Sequence, residues 1–188
     1  VNGALRRRLA RLNADGTVDP DFNPDFNGWV FSLAVQLDGS IVVGGSFTTV
    51  GGVGRSYVSR LHPNGSVDPG FSPNADNPVY SVTVQADGKL VIGGNFTRVA
   101  GVTRRRVARI NTNGTLDTGF NPDVNDWVFG TTAQADGKIL AWGYFTAVDG
   151  VERYYLARLD GDGTLDRQFN PNVSGEVYNA AVQADGKI

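Results

Sequence analysis

Asp87-Gly88-Lys89-Leu90-Val91-Ile92-Gly93-Gly94-Asn95-Phe96-Thr97, together with the run at residues 79–85 that leads into it, decides the fold. The pattern recurs around Gln36, Gln85, Gln134 and Gln183, each 49 residues after the last, with no insertion between copies. A fixed period of this length marks a repeat protein. Residues 30–37 alternate, with Phe31, Leu33, Val35 and Leu37 on one face and Val30, Ser32 and Ala34 on the other, which is the period of a strand. Asp38-Gly39 then predicts a tight type I′ hairpin turn, in which both central residues need positive φ.

Working outward, four strands are expected per unit: A at 30–37, B at 41–47, C at 55–61 and D at 66–71, with a second tight hairpin at Asn64-Gly65. The continuous apolar run of B and its Gly44-Gly45 pair predict burial on both faces and a close approach of backbone. Residues 5–12 and 17–22 supply C and D of an earlier unit. The repeats run approximately 1–49, 50–98, 99–147 and 148–188, the last incomplete, in a single domain.

Composition agrees with such a chain. There are 25 glycines and 8 prolines among 188 residues, which favours frequent turns over helix. Net charge is -2 with the two signs interspersed, so no electrostatic case exists for nucleic acid or an anionic membrane surface. Without cysteine there is no disulfide framework, thiolate metal site or thiol nucleophile. No apolar run approaches the roughly 20 residues of a membrane span, and no signal peptide is visible. The chain begins and ends inside the repeat and reads as an excerpt.

Four-stranded antiparallel units of this length in tandem predict an all-β β-propeller, in which each blade buries its faces on its neighbours. Three blades would be complete and one split between the termini, with strand A nearest the axis. A β-solenoid is the alternative architecture, but its coils are usually shorter and the Asp-Gly hairpins argue for antiparallel pairing.

The segments Val84-Gln85-Ala86-Asp87-Gly88-Lys89-Leu90-Val91-Ile92-Gly93-Gly94-Asn95-Phe96-Thr97, Arg104-x-x-Val107-Ala108-Arg109-Ile110 and Gly114-Thr115-Leu116-Asp117-x-x-Phe120-Asn121-Pro122 resemble the delta-60 repeat, and the likeness covers nearly four copies. That resemblance implies a propeller-forming bacterial protein, exported or exposed at the cell surface. The period of 49 is shorter than the family's usual one, and no functional residue carries over.

The recurrent polar residues read as scaffold. Arg11, Arg60, Arg109 and Arg158 recur with Asp19, Asp68, Asp117 and Asp166, as expected of ion pairs or carbonyl caps at a blade edge. The four glutamines close strand A beside its turn and are expected to satisfy turn backbone. Asp160, Asp162 and Asp166 resemble part of a calcium loop, but the matching turns, Asn13-Ala14-Asp15, His62-Pro63-Asn64 and Asn111-Thr112-Asn113, are mostly poor cages, so a plain turn is expected and no metal or cofactor. Catalytic groups are sparse: His62 is the only histidine, Glu152 and Glu176 the only glutamates, and Gly51-Gly52-Val53-Gly54 lacks the helix that a phosphate-cradling loop needs.

A longer period overlies the first. Phe31, Tyr80, Phe129 and Tyr178 alternate between Phe and Tyr, and Arg8, Tyr57, Arg106 and Tyr155 between Arg and Tyr, which implies an ancestral double repeat of 98 residues and an even number of blades. The B-to-C and D-to-A connections are the long ones and share one end, where the repeats differ most. Phe26, Trp29, Trp127, Glu152 and Glu176 stand there as candidate binding residues, loops on a rigid scaffold being the usual place for recognition. Exposed tryptophans there could stack on a sugar or anchor a protein.

The expected function is a non-catalytic binding or structural module of an exported bacterial protein, such as an adhesin, taking a protein or carbohydrate ligand on the long-loop face. The alternative is part of a propeller enzyme whose site lies on other blades. Four repeats of 49 need 196 residues against the 188 present, and the eight missing correspond to residues 42–49. The incomplete blade is therefore expected to continue into further repeats or to take a strand from a neighbouring copy.

Overall fold

A computed structural model describes Gly3 and residues 5–188. Every regular element in it is a strand. Unit 1 comprises β1 (Val30–Val35), β2 (Ile41–Gly45), β3 (Thr49–Val50), β4 (Val53–Gly54) and β5 (Val58–Leu61). Unit 2 repeats the set as β6 (Val79–Val84), β7 (Leu90–Gly94), β8 (Arg98–Val99), β9 (Val102–Thr103) and β10 (Val107–Ile110). Unit 3 has β11 (Val128–Ala133), β12 (Ile139–Gly143), β13 (Ala147–Val148), β14 (Val151–Glu152) and β15 (Leu156–Leu159). In each, strands A, B and C form an antiparallel sheet with B central, and a small ribbon projects from the B-to-C connection.

The D run pairs through a single bridge, Leu61↔Val67 in unit 1 and Ile110↔Leu116 and Leu159↔Leu165 after it. Local chemistry stops the ladder there. The Asp68 carboxylate accepts the Gly70 N–H at 2.8 Å, Pro69 has no N–H to donate, and the Phe71 N–H turns back to the Asp68 carbonyl.

The turns differ in type from the sequence expectation. Gly39 donates to the Gln36 carbonyl and Gln36 to the Ser40 carbonyl, with positive φ at Gly39 alone, so the loop is Leu37-Asp38-Gly39: a type I turn followed by a left-handed glycine. The Asp38 carboxylate accepts the Ser40 N–H at 2.9 Å and so needs no positive φ of its own. The pair of positive φ values that a type I′ turn demands occurs instead at the ribbon tips, at Gly51-Gly52, Ala100-Gly101 and Asp149-Gly150.

Packing crosses the unit boundaries. Val42 and Val58 of unit 1 share one core with Val79, Val82, Leu90, Ile92 and Phe96 of unit 2. Val91 and Val107 of unit 2 share the next with Val128, Ile139, Ala141 and Phe145 of unit 3. Each buried phenylalanine of the series Phe47, Phe96 and Phe145 contributes about 3 kcal/mol of burial. The paired glycines of strand B permit the approach: a Cβ on Gly94 would lie 2.3 Å from the Pro78 carbonyl oxygen. Unit 3 reverses one pair. Trp142 stands where Gly93 stands, and Gly130, in place of Ser81, leaves room for the indole, with a Cβ there falling 2.1 Å from its ring.

Candidate functional site

Strand A carries a bulge in every complete unit. Val30 faces Gly45 and Ser32 faces Gly44, so Phe31 has no partner; Tyr80 and Phe129 are placed alike. A bulge re-aims the side chain it carries. The simple alternation expected for residues 30–37 therefore fails at its first turn: in unit 2, Val79, Val82 and Val84 join the shared core, and Tyr80 leaves it. The displaced rings meet one another across units. Phe31 lies 5.6 Å from Tyr80, Tyr80 lies 6.3 Å from Phe129, and Phe129 stacks on Tyr178 at 5.7 Å with an interplanar angle of 6°. Trp127 and Tyr144 widen the row, at 6.2 Å from Tyr80 and 6.3 Å from Phe129.

The row is accessible. Trp29, Phe31, Trp127, Tyr144 and Tyr178 are exposed, and Tyr80 and Phe129 are half-buried. A hollow of about 390 Å³ opens between Asp126, Trp127 and Tyr144. Glu176 bonds the Tyr144 hydroxyl, which raises the phenol above its ordinary pKa, and burial raises that of Tyr80, partly offset by the positive Arg106. At the other end the Arg8 guanidinium covers Trp29 at 4.5 Å.

Of the residues singled out from sequence, Trp29, Trp127 and Glu176 thus lie along this row. Glu152 is exposed on β14, opposite Ala147 in the ribbon. Phe26 is not a surface residue: it is 1% exposed, bridges Val50 and packs edge-on against Phe47 at 4.8 Å. It is the bulkiest of the series Phe26, Ala75, Val124 and Val173 and pins the D-to-A loop onto the ribbon. The Phe31, Tyr80, Phe129 and Tyr178 positions, read from sequence only as a sign of the double repeat, form the spine of the row.

The aspartates of the candidate calcium loop and the recurrent arginines are occupied within the fold. Asp160 accepts Lys138 at 2.7 Å, Asp166 accepts Lys138 at 2.8 Å and Arg158 at 2.9 Å, and Asp162 accepts the N–H and hydroxyl of Thr164. Cations fill the candidate calcium loop, and the described residues contain no cluster of three or more His, Cys, Asp or Glu fit to hold a metal. Arg60 pairs with Asp68 at 2.7 Å, covers the Phe71 ring at 4.6 Å and donates to the Thr112 carbonyl of the next unit; Arg109 repeats all three contacts. Gln36 donates to the Gly88 carbonyl at 3.4 Å. Among the described residues no helix is long and apolar enough to cross a membrane.

Fold and site together define an all-β tandem-repeat protein whose units share their cores. The family model described as "Domain of unknown function (DUF5122) beta-propeller" matches residues 1–22, 36–71, 85–120 and 134–169. The chain belongs to that family, which is of the delta-60 repeat kind. The bulged strands and the loops before them, at 23–35, 72–84 and 121–133, fall between the matched intervals, so Trp29, Phe31, Tyr80, Trp127 and Phe129 lie on the part of each unit that the family pattern leaves out, whereas Tyr144 lies within a matched interval. No curated protein matches the chain.

Proposed function

We propose that this chain is a non-catalytic binding module of an exported, surface-exposed bacterial protein, and that it takes a carbohydrate chain along its aromatic row. The single observation that carries the reading is the line of rings from Phe31 through Tyr80, Trp127 and Phe129 to Tyr178, presented on a rigid sheet scaffold, with Trp29 exposed two residues before Phe31. Aromatic rings take the apolar C–H face of a sugar, and their polar tips, with Glu176 and Asp126 beside them, take hydroxyls. A repeated row suits a polymer with a repeated unit. The bacterial source and export rest on the delta-60 resemblance. We further infer that each unit is a propeller blade completed by its D run, with the A strands innermost; the A-to-A contacts, such as the Val82 N–H on the Ser32 hydroxyl and the Thr131 N–H on the Ser81 hydroxyl, support that arrangement.

The test is titration with a panel of soluble polysaccharides, followed by tryptophan fluorescence and calorimetry. Trp127→Ala is expected to weaken binding by about tenfold, the equivalent of about 1.4 kcal/mol, with the melting temperature unchanged. A panel without any saturable ligand, or binding indifferent to Trp127, overturns the carbohydrate reading.

A further inference from the structure

No other unit brings together the three residues that line the hollow of about 390 Å³ in unit 3. Asp126 stands where the other units have Gly28, Asn77 and Gly175, Trp127 where they have Trp29, Pro78 and Glu176, and Tyr144 where they have Ser46 and Asn95. The Tyr144 N–H donates to the Trp127 carbonyl at 2.8 Å, so the two aromatic residues that flank the opening spring from hydrogen-bonded neighbours. Both are exposed. Unit 2 packs on one face of unit 3 and residues 177–182 on the other, so the hollow lies within the array and not on an end face.

The charge at the hollow is negative and uncompensated. One oxygen of Asp126 accepts the Trp127 N–H at 2.8 Å, and the other has no hydrogen-bond partner among the described residues. Glu176 reaches the same place through the Tyr144 hydroxyl. Unlike Asp117, Asp160 and Asp166, neither carboxylate is in an ion pair among the described residues. The alternation of the double repeat also removes a cation here. In unit 2 the Arg106 guanidinium donates to the Asn95 carbonyl at 2.8 Å; in unit 3 the matching residues are Tyr155 and Tyr144, and Tyr155 and Tyr178 lie close enough to act on the Tyr144 phenol.

Aromatic walls beside unpaired carboxylates suit a cation that is apolar at its surface: ring quadrupole and carboxylates attract its charge while its methyl groups leave water. A neutral sugar hydroxyl makes no use of unpaired charge. We propose that the hollow binds an alkylated ammonium group, with Trp127 and Tyr144 against its methyl groups and Asp126 and Glu176 balancing its charge. Its volume falls in the range of small-ligand pockets. The site shares Trp127 with the carbohydrate row but does not depend on it, since a free small cation needs no polymer.

Titration with tetramethylammonium and choline chlorides at constant ionic strength, read by tryptophan fluorescence and calorimetry, tests this. Saturable binding in the millimolar range is expected. Two probes separate charge from methyl surface: 3,3-dimethyl-1-butanol has the shape of choline without its charge, and ethanolamine has the charge without the methyl groups. Each is expected to bind about tenfold more weakly than choline or less tightly still. Tyr144→Ser, which installs the residue of unit 1, and the double change Asp126→Asn with Glu176→Gln are each expected to weaken choline binding about tenfold, with unchanged circular dichroism and melting temperature. No saturable response to either quaternary cation, equal binding of the neutral probe or of ethanolamine, or variants that bind choline like wild type overturns the proposal. Titration of a neutral polysaccharide along the row is read separately, so either reading can fail while the other stands.

Discussion

At the scale of single residues, the repeated arginine ties three parts of the fold together. Arg109 bonds Asp117 at 2.9 Å, covers Phe120 at 4.4 Å and reaches the Gly161 carbonyl, so one guanidinium joins strand C, the D run and the following unit. Both partners of the pair are mostly buried, and removing one strands the other. Asp117→Asn is expected to lower stability by about 2 kcal/mol at neutral pH, read as a shift in urea midpoint. The carboxylates also set the response to acid. Burial pushes Asp117 upward, but its bonds from Lys89 and Arg109 outweigh that and hold it below the usual 3.8. Asp68 is lowered in the same way, with burial outweighed by Arg60, and Asp166 is lowered chiefly by Lys138 and further by Arg158. Because the folded values are depressed, the unfolded chain takes up protons first as pH falls. Their contribution is complete above 3.8 and is lost as pH drops through the folded values, so the urea midpoint should be flat near neutrality and fall in acid, less steeply in Asp117→Asn.

At the scale of elements, the same local chemistry explains what the sequence made legible. Hairpin positions were readable because glycine at positive φ and an Asx side chain are local requirements, visible at Asp38-Gly39 and Asn64-Gly65. Turn type was not, because Asp-Gly serves a three-residue loop as well as a two-residue one. The D run has the apolar residues of a full strand, but Asp68 and Pro69 end its pairing after one bridge. The bulge at Phe31 was hidden by an alternation that looks regular on either side of it. Unit 3 offers a test of how tightly neighbouring elements are coupled. Gly130 and Trp142 exchange bulk between strands A and B relative to Ser81 and Gly93. Gly130→Ser alone is expected to cost about 3 kcal/mol by overpacking, and Trp142→Gly alone to lose the packing of Val177, Ala180 and Val182 on unit 3. Combined, they restore the arrangement of unit 2, so the double variant should be more stable than the sum of the two changes predicts, by about 1 kcal/mol or more in a thermodynamic cycle.

At the scale of the whole molecule, repetition turns one structural detail into a surface. A bulge in one strand re-aims one ring; the same bulge at a period of 49 residues lays those rings side by side across units. The candidate site was half legible for this reason: Trp29 and Trp127 stood out as departures from the repeat, whereas the rings that join them follow it, and a residue that obeys the period reads as scaffold. The three tryptophans separate the two roles. Trp29 and Trp127 are 64% and 42% exposed on the row, while Trp142 is 6% exposed, with its indole N–H donated to the Tyr178 carbonyl at 3.2 Å. Acrylamide should therefore quench two components of the fluorescence and leave a third shielded. Trp142→Phe should remove the shielded component and leave the accessible ones, and Trp127→Phe should do the reverse, abolishing part of the accessible emission alone. If Trp29 and Trp127 both prove shielded in the isolated protein, the indoles fill space between units instead of facing solvent, and the aromatic row loses its role as a binding surface.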